Sequence, residues 1–326
     1  MTEVRNVAVV GVGYWGRNLA RNFAELGALA AVVDTNEDAM AQIAASLGST
    51  ARTFDDVLAD PTIEGLAIAT RAETHHEVAK RALKAGKHVF VEKPMVLNEH
   101  EADDLIALAA EHKRVLMVGH LLRYHPVFRS MLELVRSGEF GQLRYVHSDR
   151  MSLGKIRTEE DVLWSFSPHD ISMVLALAGQ EPCEVTAQGA GFINPAIADI
   201  VTLQMAFPDG IKAGVRASWM HYRKSQLIAA VCDTATIVFE DSEPEWERKL
   251  AIHEHRVEHD TGIPIPQRGE MRYVEVARAE PLKLECDHFL TSVRNCAEPL
   301  TNGREGRAVL RVLQRAAQDL ASEQAK

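Results

Sequence analysis

Apolar positions fall into two regimes along this chain. In the first third, short runs of β-branched and apolar residues alternate with longer stretches whose apolar residues return every three or four positions. Val4 to Val10 reads as a buried strand. Beyond it, Trp15, Leu19, Phe23 and Leu26 share one helical face, and Gly27 stands where a C-cap belongs. Ala28 to Val33, Leu66 to Ala69, Val89 to Val91 and Val115 to Gly119 continue the strand series. Thr74 and Glu77 have the spacing of a capping box, opening a helix that runs to about Ala85. Asn98 and Glu101 repeat that spacing before the stripe Ala102, Leu105, Ile106 and Ala109. Strands alternating with helices predict a parallel, doubly wound α/β sheet.

The pattern changes near Leu122, which divides the chain into 1–122 and 123–326. Pro126 to Ser137 reads as a helix and Leu143 to Met151 as a mixed strand. From Asp199 the period becomes two. Val201, Leu203, Met205 and Phe207 alternate with polar or small residues, Pro208-Asp209-Gly210 turns the chain, and Ile211, Ala213, Val215, Ala217 and Trp219 resume the alternation. Gln226 to Cys232 and Ala235 to Phe239 follow, so a large, open, mostly antiparallel meander is expected, giving the second domain an α+β character. Helices return at Pro281–Asn295 and from Glu305 to Ala321, and the charged stretch from Glu240 to Arg248 reads as a loop. Ser167, Pro168 and Asp170 look like N-cap, first and third residues of a further helix, which would place His169 in its first turn, where the positive helix end favours a neutral imidazole.

Composition narrows the class. With 326 residues, 46% hydrophobic and 25% charged, the chain is ordinary globular protein. A formal net charge of −10 argues against a broad nucleic-acid or anionic-membrane surface. No run approaches the length of a membrane span, and the first residues show no leader pattern. Cys183, Cys232, Cys286 and Cys296 lie far apart, without the pairing of a zinc site or a disulfide framework, so a cytoplasmic chain is expected. His253, His255 and His259 alternate on an exposed strand, and His120, His125 and His147 are scattered; neither set comes with acids at ligand spacing, so no metal is expected.

Candidate chemistry lies at the strand ends. Gly11-Val12-Gly13-Tyr14-Trp15-Gly16 sits between a strand and a helix, the context in which GxGxxG binds a dinucleotide. Gly11 makes the tight turn, Gly13 lets backbone approach the pyrophosphate, Gly16 allows close packing, and the helix N-terminus faces the anion. Asp34 ends the second strand, near the distance of roughly 20 residues at which an acid takes the ribose hydroxyls, favouring NAD over NADP. Glu92-Lys93-Pro94 stops the Val89–Val91 strand abruptly and delivers a lysine to the sheet edge where such folds bind ligands. Tyr14, Trp15, Thr70, His75, Glu92, Pro94 and Trp164 are further candidates for the cofactor. His75 at a helix start either touches the nicotinamide ribose or simply caps.

Taken together, the glycine fingerprint, Asp34, Ala69-Thr70 followed by Thr74-His75, Ala85-Gly86-Lys87-His88-Val89 and Glu92-Lys93-Pro94 resemble the glucose–fructose oxidoreductase / inositol dehydrogenase / MocA family over nearly the whole chain. The resemblance implies a Rossmann domain followed by a substrate domain whose open sheet assembles dimers or tetramers. It also implies a catalytic lysine at Lys93 and a catalytic histidine at His169. Arg71 departs from the proline common in the family, and Ser165 stands where inositol dehydrogenases carry an aspartate. The segment Leu163–Asp170, with Arg144, Arg150 and Arg157 before it, is more similar to the nucleotide-sugar branch, in which the 3-hydroxyl of a UDP-N-acetylhexosamine is oxidised. Arg123, Arg150, Lys155 and Arg157 are then candidates for the substrate diphosphate. Relatives that cleave glycosidic bonds through transient oxidation, and others that bind dinucleotide only to regulate partners, define the alternatives; binding alone would need neither Lys93 nor His169.

Overall fold

A computed structural model describes residues 6–324, apart from 155 and 261 and the side chains of 259, 260, 323 and 324. In chain order, β1 (Asn6–Val10), α1 (Gly16–Glu25), β2 (Leu29–Val33), α2 (Glu37–Leu47), β3 (Thr50–Ala51), α3 (Phe54–Ala59), β4 (Ile63–Ile68), α4 (Ala72–Lys84), β5 (His88–Glu92), α5 (Glu99–Glu111) and β6 (Leu116–Gly119) alternate; β3 and α3 lie in a stretch whose periodicity does not reveal them. Then come α6 (Pro126–Ser137), β7 (Leu143–Leu153), α7 (Val162–Ala178), β8 (Glu184–Ala190), β9 (Ile200–Ala206), β10 (Lys212–Ser218), β11 (Met220–Cys232), β12 (Ala235–Glu240), β13 (Leu250–Asp260) and β14 (Ile263–Tyr273). Two helices, α8 (Pro281–Asn295) and α9 (Gly303–Gln324), close the chain.

Two compact units result. One comprises the described residues through Tyr124 together with Ala279–Leu310, the other His125–Arg278 together with the residues from Arg311 onward. The expected division near Leu122 treats everything beyond it as one domain, because periodicity does not reveal which sheet a distant helix covers. Phe289 on α8 shows why 279–310 returns to the first unit. Its ring meets Phe23 of α1 at 6.3 Å and Phe90 of β5 at 5.9 Å, both edge-on. Gly65 on β4 makes room, since a Cβ there would lie 3.0 Å from the Phe289 ring.

The first unit is a parallel sheet in the order β3-β2-β1-β4-β5-β6, the doubly wound Rossmann order. All five residues of β5 are buried, as a central parallel strand requires. Asn36 and Asn98 cap α2 and α5 by accepting the backbone N–H groups of Ala39 and Glu101 at 3.0 and 2.9 Å. Thr74 does not cap α4. That helix starts at Ala72, and the Thr74 hydroxyl turns back onto the Arg71 carbonyl at 2.7 Å, so the Thr74/Glu77 spacing is a coincidence inside the first turns.

In the second unit the pairing order is β14-β13-β12-β11-β7-β10-β9-β8. The expected meander is corrected here. β7, the earliest strand of the unit, is inserted between β10 and β11, and it runs parallel to β10 while every other neighbouring pair is antiparallel. β14 is exposed along its whole length and carries Pro264 and Pro266, which confine it to the sheet edge and hide it from a strand pattern. α7 also begins earlier than expected. Asp161 caps it, accepting the Trp164 N–H at 3.0 Å, and Pro168 lies inside the helix rather than at its start. Val162 and Leu163, both fully buried, drive that extension, which offsets the one backbone hydrogen bond a proline forgoes. His169 therefore stands in the helix interior, and the argument from the helix end for its neutral form does not apply.

Candidate active site

At the carboxyl edge of the parallel sheet the three fingerprint glycines do three different things. Gly11 has φ +88, and a Cβ there would lie 2.8 Å from the Ala69 carbonyl oxygen, so this turn is closed to any other residue. A Cβ on Gly16 would lie 1.8 Å from the Gly11 oxygen. Gly13 has nothing within 4 Å of that position, leaving open backbone where a pyrophosphate would approach. The set fits a dinucleotide. Asp34, just beyond β2, accepts the Val12 N–H at 2.6 Å and the Asn36 N–H at 2.9 Å, so its carboxylate is tied to the glycine loop and to the start of α2. Glu37 and Asp38 follow in the first turn of α2.

Glu92 ends β5 with its carboxyl enclosed, at 8% exposure. Trp15, from the fingerprint loop, donates its indole N–H to Glu92 Oε1 at 2.5 Å, and the Lys93 backbone N–H donates to Oε2 at 3.3 Å. Gly119 closes the third side, since a Cβ there would meet the carboxyl carbon at 2.9 Å. Burial pushes the acid up to about 7, against the pull of the Trp15 hydrogen bond and the Lys93 charge. Lys93 is thus set beside an acid that is itself bonded to the cofactor loop. The Lys93–Pro94 peptide is cis. Tyr14 is 91% exposed, and the Thr70 hydroxyl pairs with that of Thr74 at 2.8 Å.

His75, expected at the cofactor or as a cap, is buried to 1% exposure. Its Nδ1 lies 2.9 Å from the Pro94 carbonyl oxygen and its Nε2 lies 3.2 Å from that of Thr70. Both nitrogens face backbone carbonyls, and the ring does not cap α4.

Glu285 on α8 escaped the sequence reading. It is fully buried, and among the described residues neither carboxyl oxygen has a hydrogen-bond partner. Burial, then the nearby Glu92 and Glu305, push it well above the ordinary carboxylate range. The signal was present: Glu285 falls on the stripe Leu282, Cys286, Phe289, Leu290 and Val293. Arg123, expected to meet a diphosphate, is buried and pairs with Glu305 at 3.3 Å, beside a His120–Glu305 contact of 2.6 Å.

In the second unit, His169 is half-buried on α7 and Trp164 lies one turn before Pro168. Asp170, at 1% exposure, accepts both nitrogens of an Arg150 fork and the Ser148 hydroxyl at 2.7 Å. Arg150 is therefore an internal ion-pair partner rather than a solvated cation. Arg157 is exposed and pairs with Glu160 at 3.0 Å; Lys155 lies outside the described residues. Among the described residues no three His, Cys, Asp or Glu side chains converge as a metal site, and no helix is long and apolar enough to cross a membrane.

A parallel sheet with a three-glycine turn after β1, an acid after β2 and a lysine after β5 defines a dinucleotide-dependent oxidoreductase. Residues 5–120 match the family described as oxidoreductases with an NAD-binding Rossmann fold, and residues 128–238 match the GFO/IDH/MocA C-terminal domain. The UDP-N-acetylglucosamine 3-dehydrogenase of Acidithiobacillus ferrooxidans is 32% identical over 307 residues, covering 93% of each chain. Its crystal structure superposes with a TM-score of 0.86, covering 98% of this chain and 99% of that one. An inositol 2-dehydrogenase of Rhizobium meliloti is 26% identical over 306 residues, covering 90% of each chain. The chain belongs to the Gfo/Idh/MocA family of NAD(P)-binding oxidoreductases.

Proposed function

We propose that this enzyme oxidises a secondary alcohol of a sugar with NAD, its foremost substrate being the 3-hydroxyl of a UDP-N-acetylhexosamine. The observation that carries the reading is Lys93 at the carboxyl end of β5, with Glu92 before it hydrogen-bonded to Trp15 of the glycine loop. When bound, the nicotinamide supplies the hydride acceptor. The glycine loop and the α1 N-terminus hold the pyrophosphate, and Asp34 takes the ribose diol. Lys93 polarises the substrate hydroxyl or takes its proton, and His169 is the acid/base partner that the family resemblance implies.

The nucleotide part rests on the likeness to the 3-dehydrogenase. A second reading, a free sugar or an inositol, is favoured by the ion pairs of Arg123 and Arg150, whose guanidinium groups already face carboxylates. Assembly into dimers or tetramers through the eight-stranded sheet belongs to the proposal, and sedimentation would test it. The deciding experiment follows NADH formation across UDP-sugars, free sugars and inositols. Turnover with UDP-N-acetylhexosamines alone supports the first reading; turnover with inositols or free sugars alone establishes the second. Replacing Lys93 by Met is expected to abolish turnover and leave NAD affinity intact, whereas near-normal turnover in that variant would sink the assignment of Lys93.

A further inference from the structure

Two loops leave the carboxyl edge of the parallel sheet side by side, one after β4 through Thr70, the other after β5 through Lys93 and Pro94. Nothing in the strand ladder reaches beyond Ile68 paired with Val91 to hold them together. His75 does so. Its ring is buried, and its two nitrogens face the carbonyl oxygens of Thr70 and Pro94.

We propose that His75 is a positioning residue for Lys93, its Nδ1–H holding the Pro94 carbonyl and so fixing the backbone corner that carries the lysine. The proposal rests on the reading of Lys93 above. Burial lowers the imidazole's pKa while the two carbonyls oppose that shift, and a ring with a single N–H donates from one nitrogen only. The shorter contact, 2.9 Å to Pro94, takes it. The Nε2 side sits at 3.2 Å from the Thr70 carbonyl oxygen, the longer of the two contacts. The two edges therefore serve different loops: Nδ1 faces the one that carries the lysine, and Nε2 faces the one after β4.

The asymmetry has a direct test, because asparagine and glutamine each reproduce one edge of the ring. His75→Asn places an amide N–H where Nδ1 stood and keeps the Pro94 bond. His75→Gln places it nearer Nε2 and keeps only the Thr70 side. His75→Ala removes both. With the substrate that the panel above identifies, His75→Asn is expected to retain kcat within about threefold. His75→Gln and His75→Ala should lose on the order of 10- to 100-fold in kcat, the scale on which misplaced groups cost rate. NAD affinity, measured by fluorescence titration, should stay within about threefold in all three. Cyanate carbamylation of Lys93, followed by mass spectrometry on the whole protein, reads the lysine environment without a substrate and should be altered in Gln and Ala but not in Asn.

Equal losses in all three variants that track their melting temperatures would overturn the proposal in favour of a merely structural role. Weakened NAD affinity with unchanged kcat would make His75 a cofactor ligand instead. Unchanged kcat and carbamylation in His75→Gln would remove any role. The Lys93→Met control keeps the two proposals apart: if that variant still turns over, the reading of Lys93 fails; if it is inactive while Asn and Gln behave alike, only the assignment of His75 fails.

Discussion

The indole N–H of Trp15 and the carboxyl of Glu92 meet at 2.5 Å, joining the third variable position of the glycine fingerprint to the residue before Lys93. The bond is charge-assisted when Glu92 is ionised, so it favours the anion that burial opposes.

Removing that donor should move the acid in a known direction. In Trp15→Phe, Glu92 loses the largest influence favouring its charged form, and its midpoint rises further above about 7. If the ionised carboxyl supports Lys93, the acid limb of kcat/KM against pH lies near neutrality in the wild type, moves to higher pH in Trp15→Phe and vanishes in Glu92→Gln. Profiles that superimpose would separate Glu92 from turnover.

Glu285 should prove a liability. Its folded midpoint lies above the unfolded one, so the folded state holds the extra proton. Its contribution is fully present below the ordinary carboxylate range and is lost as pH rises through the folded midpoint. Glu285→Met removes an unpartnered buried acid from an apolar stripe and is expected to raise stability by about 1–3 kcal/mol. The gain should be larger at pH 8 than at pH 5, as denaturant midpoints at the two pH values would show. A loss at both would mean that the carboxyl has a stabilising partner.

These two acids show how far the chain could be read in advance. The fingerprint, Asp34, the β5 strand with its lysine, and the helices Pro126–Ser137 and Pro281–Asn295 all follow from local rules of period, cap and turn. Pairings across the sheet do not. Nothing local joins Trp15 to Glu92, or Arg150 to Asp170, because those contacts depend on which strands become neighbours. Ser167-Pro168 was misleading for the opposite reason. It satisfies the local rule for a helix start, but buried Val162 and Leu163 had already committed the segment to a helix capped by Asp161.

Arg150→Ala separates the two roles open to that arginine. As an internal partner of Asp170 it should cost about 3–5 kcal/mol, since the buried carboxylate would be left with the Ser148 hydroxyl alone. Adding Asp170→Asn should restore part of the loss, and urea unfolding of the single and double variants measures both. An unchanged midpoint with a raised KM for a nucleotide sugar would mark Arg150 as a ligand.

Cofactor choice is testable at Asp34. Asp34→Asn keeps an acceptor for the Val12 or Asn36 N–H but removes the charge that the proposed ribose contact uses. The ratio of kcat/KM for NAD over NADP should fall roughly tenfold or more, about 1.4 kcal/mol of discrimination. An unchanged ratio would shift attention to Glu37 and Asp38.

The return of α8 to the first unit bears on the order in which the protein is made. Phe23 and Phe90 leave the ribosome early, yet the ring that packs between them, Phe289, is translated only after β14. Domains generally form as their residues emerge. Here the unit that starts the chain is completed near its end, and a nascent chain stalled before Pro281 carries an open patch around Gly65, Phe23 and Phe90. That interval leaves the cofactor-binding half incomplete, with apolar surface uncovered, until the end of synthesis.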